Sequence, residues 1–348
     1  MEPLRLPPPL LRLPQDLLTL ATSMTQQGAK NPLRLTCRGL RQSVDACASK
    51  LRWFPTEGGR EGLPAILPAS LLVSCPCLTV LDCCGLKSLA NLDGCPPSLR
   101  VLLCRSTLVS NLSPLAACAA LQALYCDWSR VVDLAPLAAC KGLKILHCRG
   151  TAVSDLAPLS ACTQLQSLHC SGTAVADLRP LSACTGLETL FCSSTQIVDP
   201  APLAMCTRLL TLGCGSTQVS DLAPLTACPA LHALYCGSTQ VAGLAPLVAC
   251  TSLKILYCIG SRVADLRALS TCTRLSSLLC CGTAVSDLGP LAACTGLRVL
   301  YCTSTRVCDL SPLAVCTQLQ EVCCDSWVPQ EHVRCLQAMC CGLKVTLV

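Results

Sequence analysis

Residues 165–186 read LQSLHCSGTAVADLRPLSACTG, and closely similar stretches follow one another along most of the chain. A leucine recurs every 22 residues from Leu99 to Leu319, and Leu78 begins a related unit that is one residue shorter. Written from that leucine, the unit reads LxxLxCxxTxVxDLxPLxxCxx. Self-similarity at a fixed period of this length predicts a solenoid, because one unit cannot bury its apolar face alone and must stack on its neighbours.

Each half of the unit predicts a different local structure. LxxLxC is typical of a short parallel strand, in which positions four and six point into the core and position five points outward. DLxPLxxC begins with a helix-capping residue and spaces its apolar residues three apart, which favours a short 3₁₀ turn with proline near its start. The predicted fold is therefore an α/β solenoid. It is a curved right-handed coil with short parallel strands on the concave face and 3₁₀ or loop segments on the convex face.

The chain contains 34 cysteines, and most of them follow the repeat. They form a strand ladder at position six, as in Cys170 and Cys192, and a turn ladder at position twenty, as in Cys162 and Cys184. We predict that both ladders fill the core, where a free cysteine acts as a small apolar residue. The alternatives are disulfides between successive coils and metal binding, although zinc sites favour local Cys-x-x-Cys pairs that the ladders lack.

These units resemble the leucine-rich-repeat superfamily over residues 78–348. Their length and the Asp-Leu-x-Pro-Leu segment look most like the protein-phosphatase-regulator and bacterial-internalin subtypes. Cysteine replaces the last leucine of the strand, and threonine, as at Thr151 and Thr173, stands where those subtypes usually have asparagine. Threonine can still hydrogen-bond the loop backbone. We predict about eleven to twelve repeats over residues 78–325, a packed connector at 61–77, and a C-terminal cap with a helix and a last strand at 326–348.

Composition limits the class of protein. The 348 residues are 52% apolar, 13% charged and only 3% aromatic. Prolines interrupt the uncharged run over residues 62–81, and the N-terminus lacks a clean apolar segment followed by a small-residue cleavage site. We therefore expect a soluble protein in the cytoplasm, with the nucleus as an alternative location, and no membrane partner.

Position five carries the clearest candidate for a binding surface. All four tyrosines, one of the two phenylalanines and two of the four histidines occur there. Aromatic rings offer a large contact area at low entropic cost, so we predict that a protein partner binds this row. The alternative is that the rings only stack on one another and stiffen the strands. The predicted partner-binding residues are Tyr125, His147, His169, Phe191, Tyr235, Tyr257 and Tyr301.

The sequence contains no phosphate-binding glycine loop, His-Glu-x-x-His or Gly-x-Ser-x-Gly motif, which favours a non-enzymatic protein without a cofactor. His147 and His169 could bind a metal ion as a pair, but no third ligand is evident nearby, so no metal site is predicted. Residues 1–60 hold nine Lys or Arg against four acidic residues, a charge of +5 out of +6 for the chain. The nearly neutral repeats argue against nucleic acid, which needs a basic path.

Residues 1–60 lack the repeat and predict a small helical module. The segment LPQDLL at residues 13–18, followed by apolar residues at helical spacing from Leu33 to Val44, resembles the F-box from Leu13 to about Trp53. That resemblance implies docking onto the adaptor of a cullin-type ubiquitin ligase, while the repeats choose the substrate. The adaptor-binding residues would be Leu13, Pro14, Leu17, Leu18, Leu33 and Leu35. The alternatives are a plain N-terminal cap on an intracellular scaffold or phosphatase regulator, and a surface adhesion protein.

Overall fold

The computed structural model describes residues 50–52, 72–73, 75–85, 92–340 and 342–348. Within them the chain winds as a leucine-rich-repeat solenoid, and fourteen short strands form one parallel sheet in which each strand pairs with the next in sequence. The strands are β1 (Lys50–Arg52), β2 (Val80–Asp82), β3 (Val101–Leu103), β4 (Ala123–Tyr125), β5 (Ile145–His147), β6 (Ser167–His169), β7 (Thr189–Phe191), β8 (Thr211–Gly213), β9 (Ala233–Tyr235), β10 (Ile255–Tyr257), β11 (Ser277–Leu279), β12 (Val299–Tyr301), β13 (Glu321–Cys324) and β14 (Lys344–Leu347).

A 3₁₀ helix follows each strand from β3 to β12, as the spacing of the apolar residues predicts. These helices are Ser113–Ala117, Ala135–Ala139, Ala157–Ala161, Arg179–Ala183, Ala201–Met205, Ala223–Ala227, Ala245–Ala249, Arg267–Thr271, Gly289–Ala293 and Ser311–Val315. The solenoid ends with the α-helix α1 (Gln330–Met339) and strand β14, which matches the helix and last strand predicted for residues 326–348. Among the described residues, no helix is long and apolar enough to cross a membrane.

Side chains at two repeat positions fix the loops around each strand. The aspartate at position thirteen accepts a hydrogen bond from the backbone N–H two residues later, as Asp155 Oδ1 does from Ala157 N at 2.7 Å, and so opens the 3₁₀ helix. The hydroxyl at position nine donates to the carbonyl three residues earlier, as Thr151 Oγ1 does to Cys148 O at 2.6 Å. Threonine thus bonds the loop backbone as the sequence predicted.

Position eight has a backbone conformation that restricts the residue there. Its φ angle is positive in every unit from Ser106 to Ser304, for example 57° at Ser194 and 69° at Gly172. Glycine adopts this conformation without steric cost, and a non-glycine residue there is uncommon. Nine of the ten residues there are serine or glycine, small residues that serve the turn between strand and loop, and Trp128 is the exception.

The core lies between the sheet and the 3₁₀ helices. Leucines at positions one, four, fourteen and seventeen form one continuous cluster with the valine at position eleven and with both cysteine ladders. Every ladder cysteine is buried and carries a free thiol. Burial raises the pKa of these thiols, to about 12 at Cys184. The prediction that the ladders fill the core is confirmed.

The turn ladder also bonds each coil to the one before it. The thiol of Cys184 donates to two carbonyls of the preceding coil, Leu159 O and Cys162 O, each at 3.5 Å. The same pair of contacts recurs at each turn-ladder cysteine from Cys140 to Cys316. Cysteine therefore supplies a weak hydrogen-bond donor there in addition to apolar volume.

The three described residues of the predicted N-terminal module differ from the prediction. Residues 50–52 fall inside the region predicted to be a helical module, yet they form strand β1 and extend the sheet by pairing with β2. The six predicted adaptor-binding residues, Leu13, Pro14, Leu17, Leu18, Leu33 and Leu35, lie outside the described residues.

Candidate binding surface

We call the side of the sheet that points away from the core the sheet face; it corresponds to the predicted concave face. Because side chains alternate along a strand, positions three, five and seven of each unit share this face. The parallel register places position five of each strand directly beside position five of the next, as with His147 beside His169. The seven predicted partner-binding residues therefore lie in one line across the sheet.

Six of these residues form a continuous row of rings. The ring centroids of Tyr125 and His147 are 4.8 Å apart, those of His147 and His169 are 5.5 Å apart, and both pairs meet edge to face. The row continues through Phe191, which lies 5.3 Å from His169, to Tyr235 and Tyr257, whose rings are 5.1 Å apart. Aromatic pairs prefer such geometry at these distances. The contacts fit the stacking alternative, and most of the rings remain half-buried, with some surface open to a partner.

A glycine makes the row continuous across β8. Gly213 occupies position five there, and the Phe191 ring lies over it and reaches the ring of Tyr235, with centroids 6.1 Å apart. A methyl group on Gly213 would collide with the Phe191 ring. This glycine is therefore the joint between the rings on β4–β7 and those on β9–β10.

Charged side chains lie next to the part of the ring row between β4 and β6. We call this part of the sheet face the histidine half. Asp127, two residues beyond Tyr125, pairs with Arg105, whose Nε lies 2.9 Å from Asp127 Oδ2. Asp127 Oδ1 also accepts the backbone N–H of Arg149 at 2.9 Å. Arg105 stacks over the Tyr125 ring at 4.6 Å, and Arg149 stacks over the ring of the exposed Trp128 at 5.2 Å.

His147 is the most deeply buried ring of the histidine half. Only 5% of its surface is exposed, and its neighbours are Tyr125, His169, Arg105 and Asp127. Burial, reinforced by the charges of His169 and Arg105, lowers the pKa of His147 to about 3. Burial also lowers the pKa of His169. His147 is therefore neutral at physiological pH and is covered by its neighbours.

From β8 to β12, positions three, five and seven of the sheet face carry no charged residue, and we call this part of the face the tyrosine half. Gly215 and Gly237 stand at position seven, and an added Cβ at either would press on a backbone carbonyl of the next coil, at 3.1 Å and 2.9 Å. The surface next to the tyrosine rings is therefore formed by backbone atoms without side chains. Tyr301 is separated from Tyr257 by the buried Leu279. Burial raises the pKa of Tyr301 to about 12, assisted by a hydrogen bond to Glu321.

The structure places position five on the sheet face, as alternation along the strand predicted, whereas position seven was not singled out from the sequence. Arg105, Asp127 and Arg149 occupy that position in three consecutive units and surround the two histidines. The expectation that no third metal ligand lies near His147 and His169 is wrong, because Asp127 lies beside both. The signal was present in the sequence, since positions five and seven of a strand share one face.

Comparisons with known proteins agree on the fold. No protein-family model and no curated protein match the sequence. Among solved structures, an internalin of Listeria monocytogenes, InlF, is similar over 73% of this chain and 76% of its own, with 26% identity and a TM-score of 0.69. A leucine-rich-repeat protein of Leptospira interrogans is 14% identical over 81% of each chain, with a TM-score of 0.71.

A third structure is the functional domain of InlJ from Listeria monocytogenes, which includes a cysteine ladder. It is 20% identical over 80% of this chain and 64% of its own, with a TM-score of 0.68. These similarities and the parallel sheet with its regular 3₁₀ helices establish the leucine-rich-repeat fold predicted from the sequence.

Proposed function

We propose that this chain is a non-enzymatic protein-binding solenoid that holds a partner protein on its sheet face. The observation that carries the proposal is the continuous row of rings from Tyr125 to Tyr257 on the sheet face, most of which keep some exposed surface. Aromatic residues and arginine, here including Arg105 and Arg149, are enriched in protein interfaces and in their hot spots. Both kinds of residue occur on the sheet face.

The tyrosine half supplies the test of this proposal. The double variant Tyr235→Ala and Tyr257→Ala removes two rings that do not belong to the solenoid core, so we expect partner capture to be lost while the solenoid stays folded. Affinity purification with mass spectrometry compares the proteins captured by the two forms of the chain. A matched control replaces Val198 and Val248, two exposed apolar residues outside the ring row, by alanine.

The control variant should capture the same proteins as the unmodified chain. If the tyrosine double variant also keeps its partners but unfolds at a much lower temperature, the rings act by stacking alone and the binding proposal fails.

A finer proposal gives residues 1–60 the role of docking onto the adaptor of a cullin-type ubiquitin ligase, so that the repeats choose the substrate. Its support is the F-box-like pattern, with LPQDLL at residues 13–18 and a helical spacing of apolar residues after it. The double variant Pro14→Ala and Leu17→Ala should lose adaptor binding, since truncation of an interface anchor typically costs about 2 kcal/mol or more, roughly thirtyfold in affinity.

Capture of the purified adaptor by the full chain, with and without these two changes, decides the point. If the unmodified chain ignores the adaptor under reducing conditions, residues 1–60 are a cap, and the chain is a scaffold or phosphatase regulator.

We also propose a cytoplasmic location, since the ladder cysteines pack as small apolar side chains of the core and reducing compartments keep thiols free for that role. Thiol trapping of the protein from its native source, followed by denaturation, should label nearly all 34 cysteines. Ladder cysteines protected as disulfides would instead favour the surface adhesion alternative.

A further inference from the structure

The histidine half brings together three side chains that can coordinate a metal ion. Asp127, His147 and His169 come from three consecutive coils, and one ligand atom from each lies within 4.8 Å of the other two. Among the described residues, no other group of three such side chains lies this close together. The strand register produces the arrangement, since His147 and His169 are direct neighbours and Asp127 stands two residues beyond Tyr125, the neighbour of His147.

The hydrogen bonding of His147 is incomplete. Its Nδ1 lies 3.4 Å from Nη2 of Arg105, and a guanidinium group can only donate, so Nδ1 accepts and the ring proton is on Nε2. That Nε2 is buried and has no hydrogen-bond partner. A buried polar atom without a partner costs free energy, and such atoms often mark a functional site.

Arg105 occupies the space that a cation would otherwise take. Its guanidinium lies against Asp127 and beside His147 Nδ1. If a metal ion bound Nε2, the ring proton would move to Nδ1, and Arg105 could no longer donate to it. If the ion bound Nδ1, it would displace Arg105 directly. The side chain of Arg105 is 41% exposed, so it can swing into solvent and leave both ligands.

We propose that Asp127, His147 and His169 form a binding site for a divalent transition-metal ion, which enters when Arg105 moves away. Two imidazole nitrogens and one carboxylate oxygen suit zinc and its neighbours in the first transition row, whereas calcium and magnesium prefer oxygen ligands alone. The half-buried His169 offers the route from solvent. The site shares His147 and His169 with the ring row, but the proposal does not rest on the protein-binding role.

The test uses the full chain and zinc. Exposed cysteines also bind zinc, so the reduced protein is first alkylated under native conditions, which leaves the buried ladders untouched. Competition with a chromophoric chelator then measures how many zinc ions bind and how tightly. The variants are His169→Gln, Asp127→Asn and Arg105→Ala, and the matched control is His232→Gln, which removes a histidine outside the group.

We expect the unmodified chain to bind one zinc ion and the His232→Gln control to bind it equally well. His169→Gln and Asp127→Asn should weaken binding by more than the roughly 10- to 100-fold that loss of an outer-shell partner costs. Arg105→Ala should strengthen binding, because it removes the competing cation. That gain of affinity requires folded protein, so it tests the site even if another variant is unstable. Absence of zinc binding by the unmodified chain, or equal binding by His169→Gln and Arg105→Ala, would overturn the proposal.

Discussion

The two sides of the strands differ in how much their residues vary from one repeat unit to the next. Toward the core, positions four and six repeat leucine and cysteine from unit to unit, and all of these side chains are buried. Toward the sheet face, positions five and seven change along the chain, from Arg105, Asp127 and His147 in the histidine half to Tyr235 and Gly237 in the tyrosine half. The uniform side determines how coils stack, and the variable side distinguishes one part of the sheet from another. Function is therefore to be sought in the variation.

The largest expected effect compares the two sides directly. Cys214 is 3% exposed in the strand ladder, whereas Cys281 is half-buried at position seven of the sheet face. Cys214→Asp should cost about 3–5 kcal/mol of unfolding free energy, because it places an unpaired charge in the core. Cys281→Asp should cost less than about 1 kcal/mol, since the carboxylate can reach water.

Urea unfolding of both variants measures this difference. Equal losses of stability would mean that the two sides of the sheet are not distinct environments.

The next effect is a pH dependence of the unfolding free energy that arises from His147 in the histidine half. Free His147 titrates near 6.5, but in the folded chain its pKa is lowered to about 3. The unfolded state therefore binds the extra proton first as the pH falls, so the contribution of neutral His147 is complete above pH 6.5 and is lost toward pH 3. Between pH 7 and pH 4 we expect a loss of about 3 kcal/mol from this group.

Unfolding free energies are measured across this pH range in the presence of a chelator. His147→Leu removes the titrating ring and should flatten the profile, while the carboxylates continue to titrate in both proteins. Parallel profiles for the two proteins would contradict the low pKa of His147.

A smaller effect distinguishes the two cysteine ladders. Cys184 Sγ donates to two carbonyls of the preceding coil, whereas Cys192 Sγ has no hydrogen bond within the described part of the chain. Serine keeps a donor at residue 184 but buries an unpaired hydroxyl at residue 192. Cys192→Ser should therefore be more destabilising than Cys184→Ser by about 1–2 kcal/mol. Thermal unfolding of the two variants decides this, and the reverse order would show that the thiol contacts of the turn ladder contribute nothing.

The smallest expected effect concerns Gly213, the joint between the rings on β4–β7 and those on β9–β10. Gly213→Ala forces the Phe191 ring off its place and should cost about 1 kcal/mol, with partner capture reduced because the row is broken. Gly186→Ala, where an added methyl group meets open space, is the matched control and should change neither property. Unchanged capture by Gly213→Ala would mean that the rings on β4–β7 and those on β9–β10 do not need to be continuous for binding.

The repeat made most of the fold predictable. A 22-residue period with leucine and cysteine at fixed positions determines which residues face the core, and a proline marks nine of the ten 3₁₀ helices, all except Arg267–Thr271. Strand β1 was not predictable in this way, because Lys50–Arg52 lies outside the periodic region and pairs with a strand 30 residues later. Its position depends on a tertiary contact, which has no local signal.

The candidate site was predictable only in part. Alternation along the strand identified the ring row, but the burial of His147 results from the packing of Tyr125, Arg105 and His169 around it. The crossing of Phe191 over Gly213 depends on a rotamer that the sequence does not specify. The paired carbonyl acceptors of the turn ladder were likewise missed, because cysteine was considered only as an apolar residue.

The turn ladder has a consequence for how such a chain can change length. From Cys140 to Cys316, the thiol of one coil always meets the same two carbonyl positions of the coil before it. The thiol contacts between any two successive coils in this range are therefore the same. If one 22-residue unit were duplicated or deleted, the remaining coils could still make these contacts. The exceptions lie at the ends, where Cys118 bonds Pro96 O and Cys340, just after α1, bonds Cys316 O. The interior coils are thus equivalent units between two distinct terminal coils. Their number can change without any change in how neighbouring coils pack.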